Sequence, residues 1–359
     1  MKKGRFRIIA IIILLLIALY FVIVQTKSTL NKKETEFAVK DTSGIVKIFL
    51  ANKVGDQVTL EKISQGEWKL NEKYKARMDM VNTLLKTIYD IQILAPLSKS
   101  AFNNIVKLMA ASSTKVEIYV KTYRIILFKN KIKLFPYIKL EKVYYVGVPT
   151  QDKLGTFMLI EGSKTPCITY IPGFNGFLST RYTAHPNEWR DKTIFRYFVS
   201  DIKSIKVQAQ DEKESFEIIN AGRKKIQLKS IYNNQIVNYT DTTKILDYLT
   251  NFYKVGFEFF TEEMNKKEVD SIVKTKPYYR ISVTDANGKT NEISTYRRKP
   301  PIGYLDMWGN KQEYDVDKLY ALINNGNDFV IIQFFSFDKI FGKLSYFKTN
   351  NDKGHEAKN

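Results

Sequence analysis

The sequence predicts an α+β protein: an N-terminal transmembrane helix followed by two tandem, internally duplicated α+β domains with mainly antiparallel sheets. Three observations carry this expectation. Residues 8–24, IIAIIILLLIALYFVIV, form an apolar and aromatic run without a charge, Gly or Pro. The rest of the chain matches itself at a nearly constant offset. Within each half, short alternating runs surround segments whose apolar residues recur at helical spacing.

At about 1.5 Å per residue the apolar run spans roughly 26 Å, near the lower limit for the hydrocarbon core of a bilayer. A cleaved signal peptide has a shorter run followed by a small-x-small site. Here the exit reads VIVQTKSTLNKKE, with neither that site nor a cysteine to carry a lipid. A signal anchor over 8–25 is therefore expected, after a basic segment 1–7 and before a linker 26–35. Lys2, Lys3, Arg5 and Arg7 favour a cytoplasmic N-terminus. Lys27, Lys32 and Lys33 weaken that bias. The expected location is the cell inner membrane, single-pass, with the main body in the periplasm.

The duplication rests on LKTIYDIQIL (85–94) laid over LTNFYKVGFE (249–258) at an offset of 164. Leu85 then falls on Leu249, Ile88 on Phe252, Tyr89 on Tyr253 and Ile91 on Val255. The same offset places Ile105 on Val269, and TFMLIEGSKTPCITYI on YALINNGNDFVIIQFF with Gly162 on Gly326. Upstream, KDTSGIVKI (40–48) meets SDIKSIKVQ (200–208) at an offset of 160, which pairs Asp41 with Asp201. Repeat 1 is assigned to 36–195, repeat 2 to 196–346, and a polar, disordered tail to 347–359.

In the first repeat, IVKIFL, QVTLEKI and EWKL read as strands, followed by a helix over 76–90 and a second helix after Pro96 and Ser98. KVEIYV, YRIILF and VYYVGV are further strands, and a hairpin closes the repeat at EGSK. In the second, Asp241 caps TTKILDYLTNFY, Thr261 opens the next helix, PYYRISV and NEISTY are strands, and NNGN is the closing turn.

The net charge of +20 is unevenly spread. The first 33 residues contribute +7 and residues 343–359 add +2, leaving +11 for the body, where Lys and Glu alternate. The clusters Arg297, Arg298, Lys299 and GRKKIQLK (222–229) read as solvated turns. Cys167 is the sole cysteine, so no intramolecular disulfide forms, and it reads as a small core residue. His185 and His355 are too few for a histidine metal site, and a Cys-rich zinc pattern, G-x-S-x-G elbow, P-loop, G-x-G-x-x-G and EF-hand are all missing. No catalytic residue, cofactor or metal is assigned. A carboxylate pair leaves no local signature. Asp41 and Asp201, each just before a strand, read as turn or cap residues. Aromatic-rich runs such as PYIKLEKVYY and IIQFFSFDKIF read as core. Between the halves lies STRYTAHPNEWRDKTIF, which puts Arg181, Trp189 and Arg190 at an interaction seam.

The runs FAVKDTSGIVKIFL, GEWKLNEKYKARMDMVNTLLKTI, YYVGVPTQDKLGTFML and YIPGFNGFLSTRY…WRDKTIF resemble a group of single-pass bacterial envelope proteins known as a domain of unknown function. Related domains occur beside auxiliary subunits of gliding-type ABC transporters. The resemblance implies an anchored envelope protein working with a transporter, and it carries over no catalytic residue. The expected function is a membrane-anchored, non-enzymatic binding or assembly module, with the membrane and ABC transporter subunits as partners. The alternatives are an envelope enzyme acting on glycan through a carboxylate pair, and a binder of anionic lipid or nucleic acid.

Overall fold

A computed structural model describes residues 13–18, 36–127, 132–222, 225–238, 240–306 and 308–349. The chain divides into two units, Met1–Asp191 and Lys192–Asn359.

The first unit opens on a short 3-10 turn, Thr42–Gly44, and strands β1 (Ile45–Ala51), β2 (Gln57–Ser64), β3 (Glu67–Leu70) and β4 (Tyr74–Lys75). Helix α1 (Met78–Asp90), β5 (Gln92–Pro96) and helix α2 (Lys99–Ser112) follow. Then come β6 (Thr114–Leu127), β7 (Ile132–Pro149), β8 (Thr156–Ile160) and β9 (Cys167–Tyr170). All nine strands form one antiparallel sheet in the order β4-β3-β2-β1-β6-β7-β8-β9-β5.

In the second unit β10 (Thr193–Phe195) pairs with β14 (Val255–Gly256). Strands β11 (Ile202–Ala209), β12 (Phe216–Asn220) and β13 (Ile226–Ser230) precede helix α3 (Thr242–Thr250). After β15 (Phe259–Phe260) and helix α4 (Lys266–Val273) come β16 (Tyr279–Asp285), β17 (Thr290–Arg297), β18 (Lys318–Ile323) and β19 (Asp328–Gln333). Their order is β13-β12-β11-β16-β17-β18-β19-β15, again antiparallel. With the two-residue β4 set aside, the two sheets share one strand order.

The agreement reaches the buried positions. In α1, Val81, Leu84 and Ile88 are buried, and Ile91 follows; Ile245, Tyr248, Phe252 and Val255 repeat that face at the offset of 164. Gly162 and Gly326 turn the last hairpin of each unit with φ of 84° and 86°, the left-handed region that glycine enters without a Cβ clash. Upstream the structure corrects the offset of 160. Both first strands carry an irregularity after their opening isoleucine, and Ile45, Ile48 and Leu50 fall on Ile202, Ile205 and Val207, an offset of 157. Shifting a strand by an odd number of residues exchanges its faces, so burial decides the register against letter identity.

That correction separates Asp41 from Asp201. Asp41 is the N-cap of its 3-10 turn, accepting from the Gly44 amide and the Ser43 hydroxyl. Asp201 is the last residue of the turn Val199–Asp201 and accepts from the Phe198 amide. The two carboxylates serve the same turn from opposite ends. Of the expected helix starts, Asp241 does cap α3, accepting from the amides of Thr243 and Lys244. Asn265 and Glu268 form a capping box at α4, while the Thr261 hydroxyl donates to the Phe329 carbonyl five residues upstream of the helix.

Each unit has its own core. Leu60, Trp68, Ile88, Tyr144 and Trp189 belong to the first, and Phe195, Phe216, Leu249, Ile281 and Phe347 to the second. Phe347, the first residue of the expected tail, is fully buried and Lys348 bridges to Thr240. Residues 350–359 lie outside the described residues.

The fold class needs one correction. Among the described residues no helix is long and apolar enough to cross a membrane. Of the apolar run only 13–18 is described; it is helical, about 9 Å of axis against a hydrocarbon core of about 30 Å. The longest helix given an element here, α2, is amphipathic, with Ile105 and Met109 buried and the opposite face open to solvent. The described residues support a mostly antiparallel α+β protein and give the expected N-terminal transmembrane helix no support. The rest of that segment and the linker 26–35 lie outside the described residues.

Candidate functional site

The three residues expected at an interaction seam are engaged inside the first unit. Trp189 is fully buried, and its indole N–H donates to the Thr183 carbonyl at 2.9 Å. Arg190 lies over the Tyr74 ring at 3.9 Å and bridges to Ala76 through the backbone. Arg181 lies over Phe174 at 4.1 Å and donates to the Thr87 hydroxyl at 3.0 Å. Thr87 is itself buried on α1, so Arg181 ties that helix to the 3-10 turn Ser179–Tyr182.

The other singled-out residues behave alike. His185 is the N-cap residue of the single-turn helix Pro186–Trp189, and His355 lies outside the described residues. Cys167 is buried on β9, and burial pushes its thiol above the usual range, which keeps it protonated and unreactive. In the basic cluster, Arg298 pairs with the buried Asp315 at 2.8 Å while Arg297 stacks over Tyr278 at 3.9 Å. Asp315 also accepts from the amides of Asp317 and Lys318, so the cluster anchors the connection between β17 and β18.

Two clefts open on the second unit. One, about 420 Å³, lies beside the end of β11; Lys276 and Glu212 pair across it at 2.8 Å, and Gln208, Tyr232 and Arg280 line it. Among the described residues Glu212 is the one carboxylate in that lining. The other, of about 790 Å³, is largely apolar, with Val199, Ile202, Ile219, Ile226 and Leu246, and its described lining holds no acid. Neither cleft brings together the two carboxyls that glycoside hydrolysis uses. Among the described residues no group of three His, Cys, Asp or Glu is placed to hold a metal ion.

Ionisation points the same way. Asp41 is held low by the Ser43 hydroxyl, Asp79 by Arg77, Asp152 by the Thr150 hydroxyl and Asp306 by the Asn310 amide. Burial pushes Glu117 upward, but hydrogen bonds from Lys115 and Tyr119 outweigh it and the net direction is down. A general acid needs a carboxyl moved the other way. The strong upward shifts among the described residues belong to tyrosines 144, 182, 248 and 279, where burial disfavours the phenolate. Tyr144 donates to Tyr182, and Tyr248 to the Ile340 carbonyl, so these phenols serve packing.

What stands out is an arm. Strand β6 last pairs with β1 at Val120, and β7 first pairs with β8 at Tyr144. The described residues 121–127 and 132–138 pair only with each other, while Lys139, Leu140 and Lys142 pair with Val120, Tyr119 and Ile118 at the root of the projection. Cross-strand partners share a face. Tyr119 with Leu140, Lys121 with Ile138, Tyr123 with Pro136 and Ile125 with Leu134 therefore make a nearly continuous apolar face. Ile138 and Phe135 are 62 % and 63 % exposed, and Leu134, Tyr137 and Leu140 are exposed as well. Lys121, Arg124, Lys133, Lys139 and Lys142 add positive charge against one acid, Glu141, which pairs with Lys139 at 2.9 Å. At its root the Lys142 ammonium donates to the Glu36 carbonyl, and burial pulls this ammonium below the usual lysine range.

The sequence reading placed PYIKLEKVYY (136–145) in the core; the structure bears this out for Val143 and Tyr144, which are buried, and corrects it for 136–141, which are exposed. The signal was the length of the alternation. Strands of 14 and 18 residues exceed what a sheet a few residues wide can cover, since typical strands run about 5–6 residues.

No curated protein and no solved structure matches the chain. A family model does, over residues 68–272, from β3 of the first unit to the end of α4 in the second. That match covers more than half of the sequence, and the chain belongs to the family described as a domain of unknown function, DUF4340.

Proposed function

We propose that this protein is a non-enzymatic binding or assembly module of the cell envelope, held at a membrane. Its two α+β units work on the periplasmic side, as an accessory of an ABC-type transporter. The observation that carries the reading is the arm. Side chains that a self-sufficient fold would bury are displayed instead, on a two-stranded projection that contributes little to either core. The polar groups that chemistry would need are taken up as caps and ion pairs, as Asp41, Asp201 and Asp315 illustrate. The glycan-hydrolase reading finds no paired carboxyls in either of the two clefts described on the second unit. Nucleic-acid binding would draw on Arg297 and Arg298, and these are stacked or neutralised.

The test is crosslinking in intact cells, followed by purification of the full chain in mild detergent through a C-terminal tag. Permease or ATPase subunits joined covalently to the chain are the expected outcome. A chain recovered uncrosslinked to either subunit removes the transporter role.

A further inference from the structure

The geometry points to the arm as a lipid-contacting element: the strands 121–127 and 132–142 lie on the surface of an anionic bilayer. This deepens the envelope reading above and rests on its membrane attachment.

Four observations converge. The arm combines the residue classes that occupy a membrane interface, with aromatic Tyr123, Phe135 and Tyr137, aliphatic Ile125, Leu134, Ile138 and Leu140, and a surplus of cations. Its cations flank its rings: Arg124 lies 6.0 Å from the Tyr137 ring and Lys133 5.6 Å from that of Tyr123. Such pairs let an apolar body sink to headgroup level while the charged heads meet phosphate. An isolated two-stranded ribbon is marginal in water and gains from a surface that covers one side. Lastly, Lys142 at the root of the arm holds the carbonyl of Glu36, where the chain coming from the apolar N-terminal run enters the fold. The root of the arm therefore lies beside the residue at which the described first unit begins.

Charge decides between a bilayer and a protein groove as occupant. A protein groove would match the apolar face alone. A bilayer with anionic headgroups also takes the surplus cations of the five described basic residues, which lie along the length of the arm.

The test uses the full chain in vesicles of phosphatidylcholine with or without phosphatidylglycerol. An environment-sensitive fluorophore is placed on Ile138→Cys or, separately, Leu134→Cys, with Val54→Cys on the exposed β1–β2 turn as control. Cys167 is buried and escapes labelling in the folded chain, which circular dichroism verifies for each variant. The expected result is a blue shift and quenching by nitroxide lipids at 138 and 134 but not at 54. Both effects should fall several-fold in neutral vesicles, at high salt, or in Arg124→Gln/Lys133→Gln/Lys139→Gln. A chain that floats with vesicles yet shows no quenching at 138 and 134 overturns the arm contact and leaves the membrane attachment standing. A chain that does not float overturns both. A blue shift that rises with protein concentration in the absence of lipid assigns the arm to a second copy of the chain instead, and also overturns the proposal.

Discussion

The hairpin of β6 and β7 and the hairpin of β16 and β17 leave the same position in the same sheet order and then diverge. Strand β16 ends at Asp285, two positions after Val283, whose side chain is still in the core. The turn is closed there by the Asp285 carboxylate, which accepts from the amides of Asn287 and Lys289. Strand β6 continues seven residues past its last partner on β1, about 23 Å of ribbon at 3.3 Å per residue. The second unit grows at the next connection instead. Between β17 and β18 it inserts residues 298–317, pinned by Arg298 and Asp315, where the first unit turns in 150–155. The buried half of each hairpin is fixed by packing, and the outer half is free to take on new surface. Divergence between the units is concentrated there.

The largest effect expected is from Trp189→Ala. Removing a fully buried indole costs about 3–5 kcal/mol. Native-state hydrogen exchange should show the loss in amides of the first unit, with those of Phe216, Leu249 and Ile281 unmoved. An equal loss in both would break the division into two cores. Next come Gly162→Ala and Gly326→Ala, which place a Cβ at positive φ for about 1–2 kcal/mol each. At Gly162 an added Cβ meets nothing within 4 Å and at Gly326 only Leu322 Cδ2 at 4.0 Å, so urea midpoints should fall by similar amounts. Unequal shifts would mean the turns are not equivalent.

Acid should separate the units more gently. The first holds Asp41, Asp79, Glu117 and Asp152 below their usual range, the second Asp306. A carboxyl depressed in the folded state contributes stability above its unfolded value, and that contribution is lost as pH falls through the folded one. The window therefore opens below about pH 4.5, and the first unit should lose more protection there than the second. Smallest of all, Leu134→Ser and Ile138→Ser should change stability by less than about 0.5 kcal/mol. A larger loss would show that the arm belongs to the core after all.

Much of the architecture was legible because helix and turn signals are local. The face Val81, Leu84, Ile88 and its copy Ile245, Tyr248, Phe252 lie in the letters, as do the two turn glycines. What failed depended on information outside the window. The match of Asp41 to Asp201 followed identity, whereas the strand obeys the face it buries. Trp189 and Arg190 sit near the boundary at Asp191, and only the fold reveals that Thr183 and Tyr74 claim them. The arm was misread because alternation signals a strand and says nothing about what covers it.

The strand order also sets a sequence of events. Most pairings join neighbours in the chain, but β1 must find β6 and β5 must find β9, as β11 must find β16, β15 must find β19 and β10 must find β14. Local hairpins close in about 1–10 μs, whereas ladders between distant segments wait on loop closure. The ribbon of β6 and β7, with the longest ladder in the protein, can therefore zip before β1 arrives and offer it a finished edge. A segment displayed at the surface of the mature protein would then already have been useful during its folding.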